Sequence, residues 1–241
     1  MDEQAMRAKV KEKREVAKGT LMVTFDLGDR EVDFRPGQYF FVTLLDPPYE
    51  DDKGPRRHIT VVTSPNDRNT LGLATRLRDS AFKKSLQELE VGDEVEVEPP
   101  KGKFMLPEDT SRPLVFLAGG IGITVFWSML QYIEEKSLPY RVTLIYSNRS
   151  REETAFFEEL RAYEQRNPNV RLILTMTQDP GWDGESRKID AQFIRDHLGD
   201  DLNEYTFMAA GPPDMVEAMK ESLAEVGVAE ENVLAQGYSG Y

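Results

Sequence analysis

The feature that most constrains the fold is a change of hydrophobic rhythm partway along the chain. In the first part apolar residues alternate with polar ones. In "MRAKVKEKREV", Met6, Ala8 and Val10 interleave with Arg7, Lys9 and Lys11, and in "TLMVTFDL", Leu21, Val23, Phe25 and Leu27 share one face. "YFFVTLL", "RHITVVTS", "TLGLATRL" and "DEVEVEPP" follow, punctuated by Gly28-Asp29, Pro36-Gly37, Pro47-Pro48, Pro65-Asn66 and Gly92-Asp93. Successive side chains of a strand point to opposite faces, so short period-two runs with frequent turns predict an antiparallel barrel or sandwich. One helix, in "DSAFKKSLQEL", interrupts the run, with Asp79 or Ser80 placed as its N-cap.

Beyond "FMLPEDTSRP", residues 104–113, strands alternate with helices. "PLVFLAGG" precedes "VFWSMLQYIEEK", "RVTLIYSN" precedes "EETAFFEELRAYEQR", and "VRLILTMTQ" precedes "IDAQFIRDHL". "YTFMAAGPP" precedes "DMVEAMKESLAEVG", and "NVLAQGYSGY" supplies a last strand. A strand–helix–strand series returns each strand parallel to the one before, so this half predicts a doubly wound parallel sheet. The expected organisation is a β-barrel domain over 1–108 and an α/β domain over 109–241.

Charge narrows the partners. Forty-three acidic residues against 30 basic ones give a net charge of −13, which argues against nucleic acid or anionic lipid as a ligand. With no cysteine there are no disulfides, zinc-finger spacings or protein-ligated iron–sulfur clusters. His58 and His197 are the only histidines, too few for a His-rich metal site. The N-terminal segment lacks a signal-peptide core, and no apolar run approaches the ~20 residues of a membrane helix. The expectation is a cytoplasmic protein without membrane insertion.

"LVFLAGGIGITVFWSML", residues 114–130, runs a buried strand into Gly119, Gly120 and Gly122 and then a helix. Such a turn lets a diphosphate approach the free amides of a helix start, with the Thr124 hydroxyl at the same edge. It is neither the strict dinucleotide fingerprint, since Val125 stands at the third glycine position, nor a P-loop, since no Lys-Ser/Thr follows. Alone it is balanced by a second reading, a tight strand–helix joint. Gly211-Pro212-Pro213 after a later strand, and "IYSNRS" after a third, fall at the same carboxyl end of the sheet. Together the three outline a crevice for an extended ligand.

Taken in order, "RPGQYFFVTL", "RRHITVVTSP", "RDSAFKKSL", "GDEVEVEPPKGKF", "LVFLAGGIGIT", "LIYSNRS", "AAGPPDMV" and the terminal "GY" resemble the ferredoxin–NADP reductase superfamily over essentially the whole chain. The resemblance implies an FAD-binding barrel followed by an NAD(P)-binding domain, with FAD as cofactor and NADPH or NADH as co-substrate. Within Arg57-His58-Ile59-Thr60 it implies Arg57 on the FAD diphosphate and Thr60 beside flavin N5. An ion pair within "EDDKGPRR" is the alternative for Arg57. A second phosphate contact is implied at Ser80, Ala81 and Phe82 on a helix start, with Thr75 and Arg76 nearby. That segment is also a capped amphipathic helix, because capping and anion binding use the same amides. Around the nicotinamide nucleotide the resemblance implies Gly120, Gly122, Thr124, Ser147, Asn148, Arg149, Gly211, Pro212 and Pro213.

Tyr241 is implied as a ring stacked on the flavin, against the alternative of a frayed terminus. Two departures stand out. Ile59 replaces an aromatic, so the flavin face there is packed by an apolar group or by another residue such as Tyr39. Ala210 stands beside the nicotinamide where many members carry a cysteine, joining Thr60 and Tyr241 as the residues nearest hydride transfer. Arg149 or Arg151 would accept a 2′-phosphate, so NADPH is expected to be taken, while Ser150 serves equally as a helix cap. The implied activity is hydride transfer between nicotinamide and flavin N5, with electrons passing to a separate ferredoxin- or flavodoxin-like protein or small molecule. "RLRDSAFKK" is a candidate basic patch for an acidic partner. The alternative is a flavin- and nucleotide-binding subunit that acts only within a larger complex.

Overall fold

Strands β1 (Met6–Ala17) and β2 (Thr20–Asp26) form a long antiparallel hairpin, from Lys9 opposite Asp26 to Ala17 opposite Thr20. Residues 4–238 are described in this computed structural model. β3 (Tyr39–Leu44), β4 (Arg56–Thr60), β5 (Thr70–Arg76) and β6 (Glu94–Val97) complete a six-stranded sheet in the order β4-β3-β6-β1-β2-β5. Just past β4, Val62 N–H donates to the Gly72 carbonyl of β5 at 2.9 Å, joining the two ends of the order and closing the sheet on itself. The alternation in sequence has its consequence here. Val10, Val23, Phe25, Phe40, Val42, Leu71, Leu73, Val95 and Val97 meet in one core. Each such side chain withdrawn from water stabilises by about 1.5–3 kcal/mol before entropy is set against it.

Helix α1 (Ala81–Glu88) packs Phe82 and Leu86, one turn apart, into that core. Ser80 is its N-cap and accepts from Lys83 N–H at 3.3 Å. Asp79 instead pairs with Lys84 at 2.7 Å. Helix α2 (Ile123–Glu135) gives its residues 127–135 to the same compact unit, which otherwise runs to Leu106. Within it Ser128 Oγ donates to the Thr63 carbonyl at 2.7 Å and Gln131 Nε2 to the Val62 carbonyl at 3.0 Å. The Glu135 carboxylate accepts from Asn66 Nδ2 at 2.5 Å and from the Ser64 hydroxyl.

The second unit, 107–126 and 136 onward, is built on β7 (Leu114–Gly119), β8 (Val142–Asn148), β9 (Val170–Met176), β10 (Thr206–Gly211) and β11 (Val233–Gly237). All pair in parallel, in the order β11-β10-β7-β8-β9. β7 is buried at every position, which explains why it reads as a continuous apolar run rather than an alternation. Helices α3 (Phe157–Arg166), α4 (Ala191–Leu198) and α5 (Pro213–Glu225) connect the strands. The order reverses between β7 and β10, so the carboxyl ends of those two strands form the topological switch point at which such sheets bind ligands.

After β8 the helix starts later than the sequence suggests. A single 3₁₀ turn, Arg151–Glu153, comes first, and α3 begins only after Phe156, which sits in the left-handed region at φ 60°. Ser150 makes no side-chain capping bond. Its carbonyl instead receives the Thr154 hydroxyl at 2.8 Å, which closes the short turn.

Candidate cofactor and nucleotide sites

In the barrel unit, Arg57 and the start of α1 converge. The Arg57 guanidinium lies 5.2 Å from the Phe82 ring, and its Nη1 donates to the carbonyls of Lys53, Gly54 and Arg56 at 2.8–2.9 Å. Its Nη2 reaches Asp51 Oδ1 at 3.5 Å, while Asp51 Oδ2 accepts from Ala81 N–H, the first free amide of the helix, at 3.3 Å. The α1 first turn contains no acidic residue, so the carboxylate at this helix start arrives from the β3–β4 loop. Nearby Lys83 is buried, and burial together with the charges of Arg78 and Arg57 pushes its ammonium down to about 8. In a chain of net charge −13 this is a local excess of positive charge around a bound carboxylate. The donor set suits a phosphate or diphosphate group.

The remaining barrel candidates divide. Thr60 and Thr75 are buried, and Thr60 faces Tyr39 in register. Arg76 ends β5 opposite Thr20. Ser80, Ala81 and Phe82 lie together at the helix start as expected. Ile59 is buried and packs in the barrel core. His58, of opposite parity, is exposed and stacks edge-on with Tyr39 and at a tilt with Phe41, with ring centroids 5.5 and 5.7 Å away. Within the candidate basic patch Lys83 is buried and Lys84 is paired with Asp79, while Arg78 is exposed.

At the switch point of the second unit the glycines are demanded by packing. A Cβ on Gly122 would lie 2.2 Å from the Ala210 carbonyl oxygen, and one on Gly119 would lie 2.1 Å from Met215 Sδ. Gly211 packs against the Gly119 backbone, at 3.1–3.2 Å from the same construction. Gly120 adopts φ 51°, and its carbonyl accepts the buried Tyr146 hydroxyl at 2.9 Å, a contact with no signature in sequence. Thr124 is buried and spends its hydroxyl proton on the Ile121 carbonyl at 3.0 Å, so it braces the turn. Ala210 is fully buried within β10, whereas Pro212 and Pro213 are exposed at the rim. Tyr241 lies outside the described residues.

The carboxyl ends of β8 and β9 open onto a cavity of about 1010 Å³ lined by Arg151, Phe157, Arg161, Asp179 and Trp182 among others. Ser147 and the buried Asn148 end β8, and Arg149 follows with its side chain exposed. Arg151 is engaged. Asp179 Oδ2 accepts from its Nε at 3.0 Å and its backbone N–H at 3.1 Å, and the Gly181 carbonyl accepts from Nη2 at 3.1 Å. The Arg151 hydrogen bond and charge hold the Asp179 carboxyl below its usual range. The ion pair within "EDDKGPRR" offered as the alternative for Arg57 is present, with Asp51 as its partner. Asp179 and Trp182, in loops without periodicity, were not singled out from sequence and acquire meaning only from what they touch.

Comparison with known proteins agrees with this division. Residues 7–106 match the oxidoreductase FAD-binding domain and residues 116–221 the oxidoreductase NAD-binding domain. The chain belongs to the ferredoxin–NADP reductase superfamily of flavoprotein oxidoreductases, with an FAD-binding barrel and a nicotinamide-nucleotide-binding α/β domain. Among its relatives is the anthranilate 1,2-dioxygenase electron transfer component of Acinetobacter baylyi, 31% identical over 216 residues, covering 87% of this chain and 59% of that protein. The chain therefore spans about three fifths of that relative's length. The FAD/NAD-binding domain of a nitric oxide dioxygenase from Vibrio cholerae shares the fold at TM-score 0.85 and 18% identity, covering 97% of this chain and 98% of that one. A ferredoxin NADP⁺ reductase from Neisseria gonorrhoeae with bound FAD and NADP shares it at 0.81 and 20% identity, covering 98% and 99%. Among the described residues no helix is long and apolar enough to cross a membrane, and no cluster of side chains is arranged to hold a metal ion.

Proposed function

We propose that this chain is a cytoplasmic reductase that takes a hydride from a reduced nicotinamide nucleotide and delivers electrons to a separate one-electron acceptor. The observation that carries the reading is the meeting of Arg57 and the α1 amide on one carboxylate in the FAD-binding barrel, with the Lys83 ammonium near enough to Arg57 for the two charges to act on each other. Arg57 and the Ser80–Phe82 amides would hold the FAD diphosphate, and the charge of Lys83 would offset its own. FAD accepts an electron pair as hydride and releases electrons singly, which is the chemistry it supplies when bound. Thr60, at the inner edge of β4, would orient the flavin edge, and the glycine and Gly-Pro-Pro turns would admit the nucleotide phosphates.

Of the two nucleotides, NADH is the better fit. Arg151, one of two candidates for a 2′-phosphate, is engaged by Asp179, which leaves Arg149. Glu152, Glu158, Asp179 and Asp183 also line the cavity and disfavour a further dianion. A second reading, that the chain works as the electron-transfer part of a larger system, is favoured by its likeness to the electron transfer component of anthranilate 1,2-dioxygenase.

An anaerobic visible spectrum of the purified, FAD-loaded protein tests the proposal. Bleaching of the flavin bands by NADH, and reoxidation by an artificial one-electron acceptor, are expected. Bands left oxidised by both nucleotides would overturn independent reductase activity and favour the second reading.

A further inference from the structure

The carboxylate of Asp51 sits on two of the donors assigned above to the cofactor's diphosphate. It bridges Arg57 Nη2 at 3.5 Å and Ala81 N–H at 3.3 Å, two donors from separate elements that share no other side-chain anion. The side chain is three-tenths exposed and held in position. Lys53 N–H donates to Asp51 Oδ1 at 2.9 Å, and Gly54 N–H donates to the Asp51 carbonyl at 2.9 Å. Two residues earlier, Tyr49 is clamped to the helix in both directions. Its N–H donates to Ser85 Oγ, and its carbonyl accepts from that hydroxyl, each at 3.2 Å. The β3–β4 loop is thus a strap laid along α1, with its one inward carboxylate seated on the anion-binding donors. A cavity of about 200 Å³ lies beneath it, lined by Pro47, Tyr49, Gly54, Pro55 and Phe82 among others.

Two anions do not share one guanidinium and one helix amide without repulsion. The geometry points to Asp51 as an internal counter-anion that fills the diphosphate cradle in the flavin-free protein and leaves when FAD arrives. Asp51 therefore sets how tightly and how fast the cofactor is taken up. Before binding, it keeps the Arg57–Lys83 charge cluster compensated. On binding, the diphosphate inherits its donors and the Asp51 side chain, already at the surface, turns toward solvent. The inference rests on the assignment of Arg57 and the start of α1 to the diphosphate.

Titration of the flavin-stripped full-length chain, followed by quenching of flavin fluorescence, tests it. Asp51→Asn keeps the turn to Lys53 N–H but removes the charge, and Asp52→Asn makes the same charge change beside it. An exposed ion pair is worth up to about 1 kcal/mol, so Asp51→Asn is expected to tighten FAD about fivefold. Riboflavin, which lacks the diphosphate, and the Asp52→Asn variant should show no change. Equal or weaker FAD binding in Asp51→Asn, with FAD weakened by Arg57→Ala, would overturn the counter-anion while leaving the diphosphate site in place. FAD binding unaffected by Arg57→Ala would overturn both.

Discussion

Gly122 and Ala210 meet backbone to backbone: a methyl group on Gly122 would stand 2.2 Å from the Ala210 carbonyl oxygen and 2.7 Å from the Gly211 nitrogen. The contact joins the turn after β7 to the end of β10, and backbone atoms cannot move aside as a flexible side chain can. Gly122→Ala is expected to destabilise the α/β unit by about 2–3 kcal/mol and to weaken nucleotide binding. Denaturant unfolding and NADH titration measure the two effects.

Lys83 makes FAD binding depend on pH. Burial and the charges of Arg78 and Arg57 lower its ammonium from 10.5 to about 8, and a diphosphate held by Arg57 would stabilise it, so binding FAD above pH 8 is expected to take up a proton. Affinity should fall as pH rises past about 8, and Lys83→Met should flatten the profile. In the flavin-free protein the sign reverses. Burial disfavours the charged form, so the cost of Lys83 is fully present below pH 8 and is relieved as pH rises toward 10.5. Lys83→Met is expected to raise the melting temperature at pH 7 and to lose that advantage by pH 10.

Asp179 is expected to govern nucleotide preference. Asp179→Asn removes the charge that engages Arg151, leaving two guanidiniums near the cavity for a 2′-phosphate. KM for NADPH should fall several-fold while KM for NADH changes little, since the ribose hydroxyl it carries gains nothing from a freed cation. Steady-state kinetics with each nucleotide read this directly.

Glu185 fixes the segment that follows β9. Arg187 donates to both its oxygens at 3.0 and 2.7 Å, the backbone N–H groups of Ser186 and Arg187 donate to Oε1 at 3.0 Å, and His197 lies 3.4 Å away. These contacts, the Arg187 side chain foremost, lower its carboxyl from 4.5 to about 2. A depressed carboxylate contributes stability that is present above 4.5 and is lost as pH falls toward 2. Glu185→Gln should cost about 1 kcal/mol at pH 7 and nothing near pH 2, as chemical denaturation at the two pH values would show.

The sheets were legible because they rest on periodicity. Val23 and Phe25 announce a half-buried strand by alternation, and "LVFLAG" announces a buried parallel strand by lacking it. The α1 start was legible as well, since Ser80 carries a capping signature. What stayed hidden depends on tertiary encounters. Ile59 departs from its motif by replacing an aromatic, and only the structure shows how fully it is drawn into the barrel core. Thr124 reads as a phosphate ligand, yet its hydroxyl closes its own turn. Ser150 precedes an acidic helix start, yet Thr154 claims its carbonyl and α3 begins beyond it. Asp51 stands in the stretch from which an ion pair to Arg57 was expected, yet only the fold brings its second oxygen to the Ala81 amide of α1.

The bond from Val62 to Gly72 has a further bearing on how this protein meets others. It bridges the seam between the two end strands of the barrel sheet, so a foreign strand arriving there meets a border already tied at that point. In the open sheet the outer side of β9 is shielded where Thr175 pairs with Glu185 and Met176 N–H donates to the Glu185 carbonyl at 2.9 Å. The opposite border, β11, is only five residues long. Accretion into fibrous aggregates through strand pairing is disfavoured on these borders, and the redox partner proposed above would be recognised by side-chain shape and charge, in an encounter sensitive to salt and readily reversed.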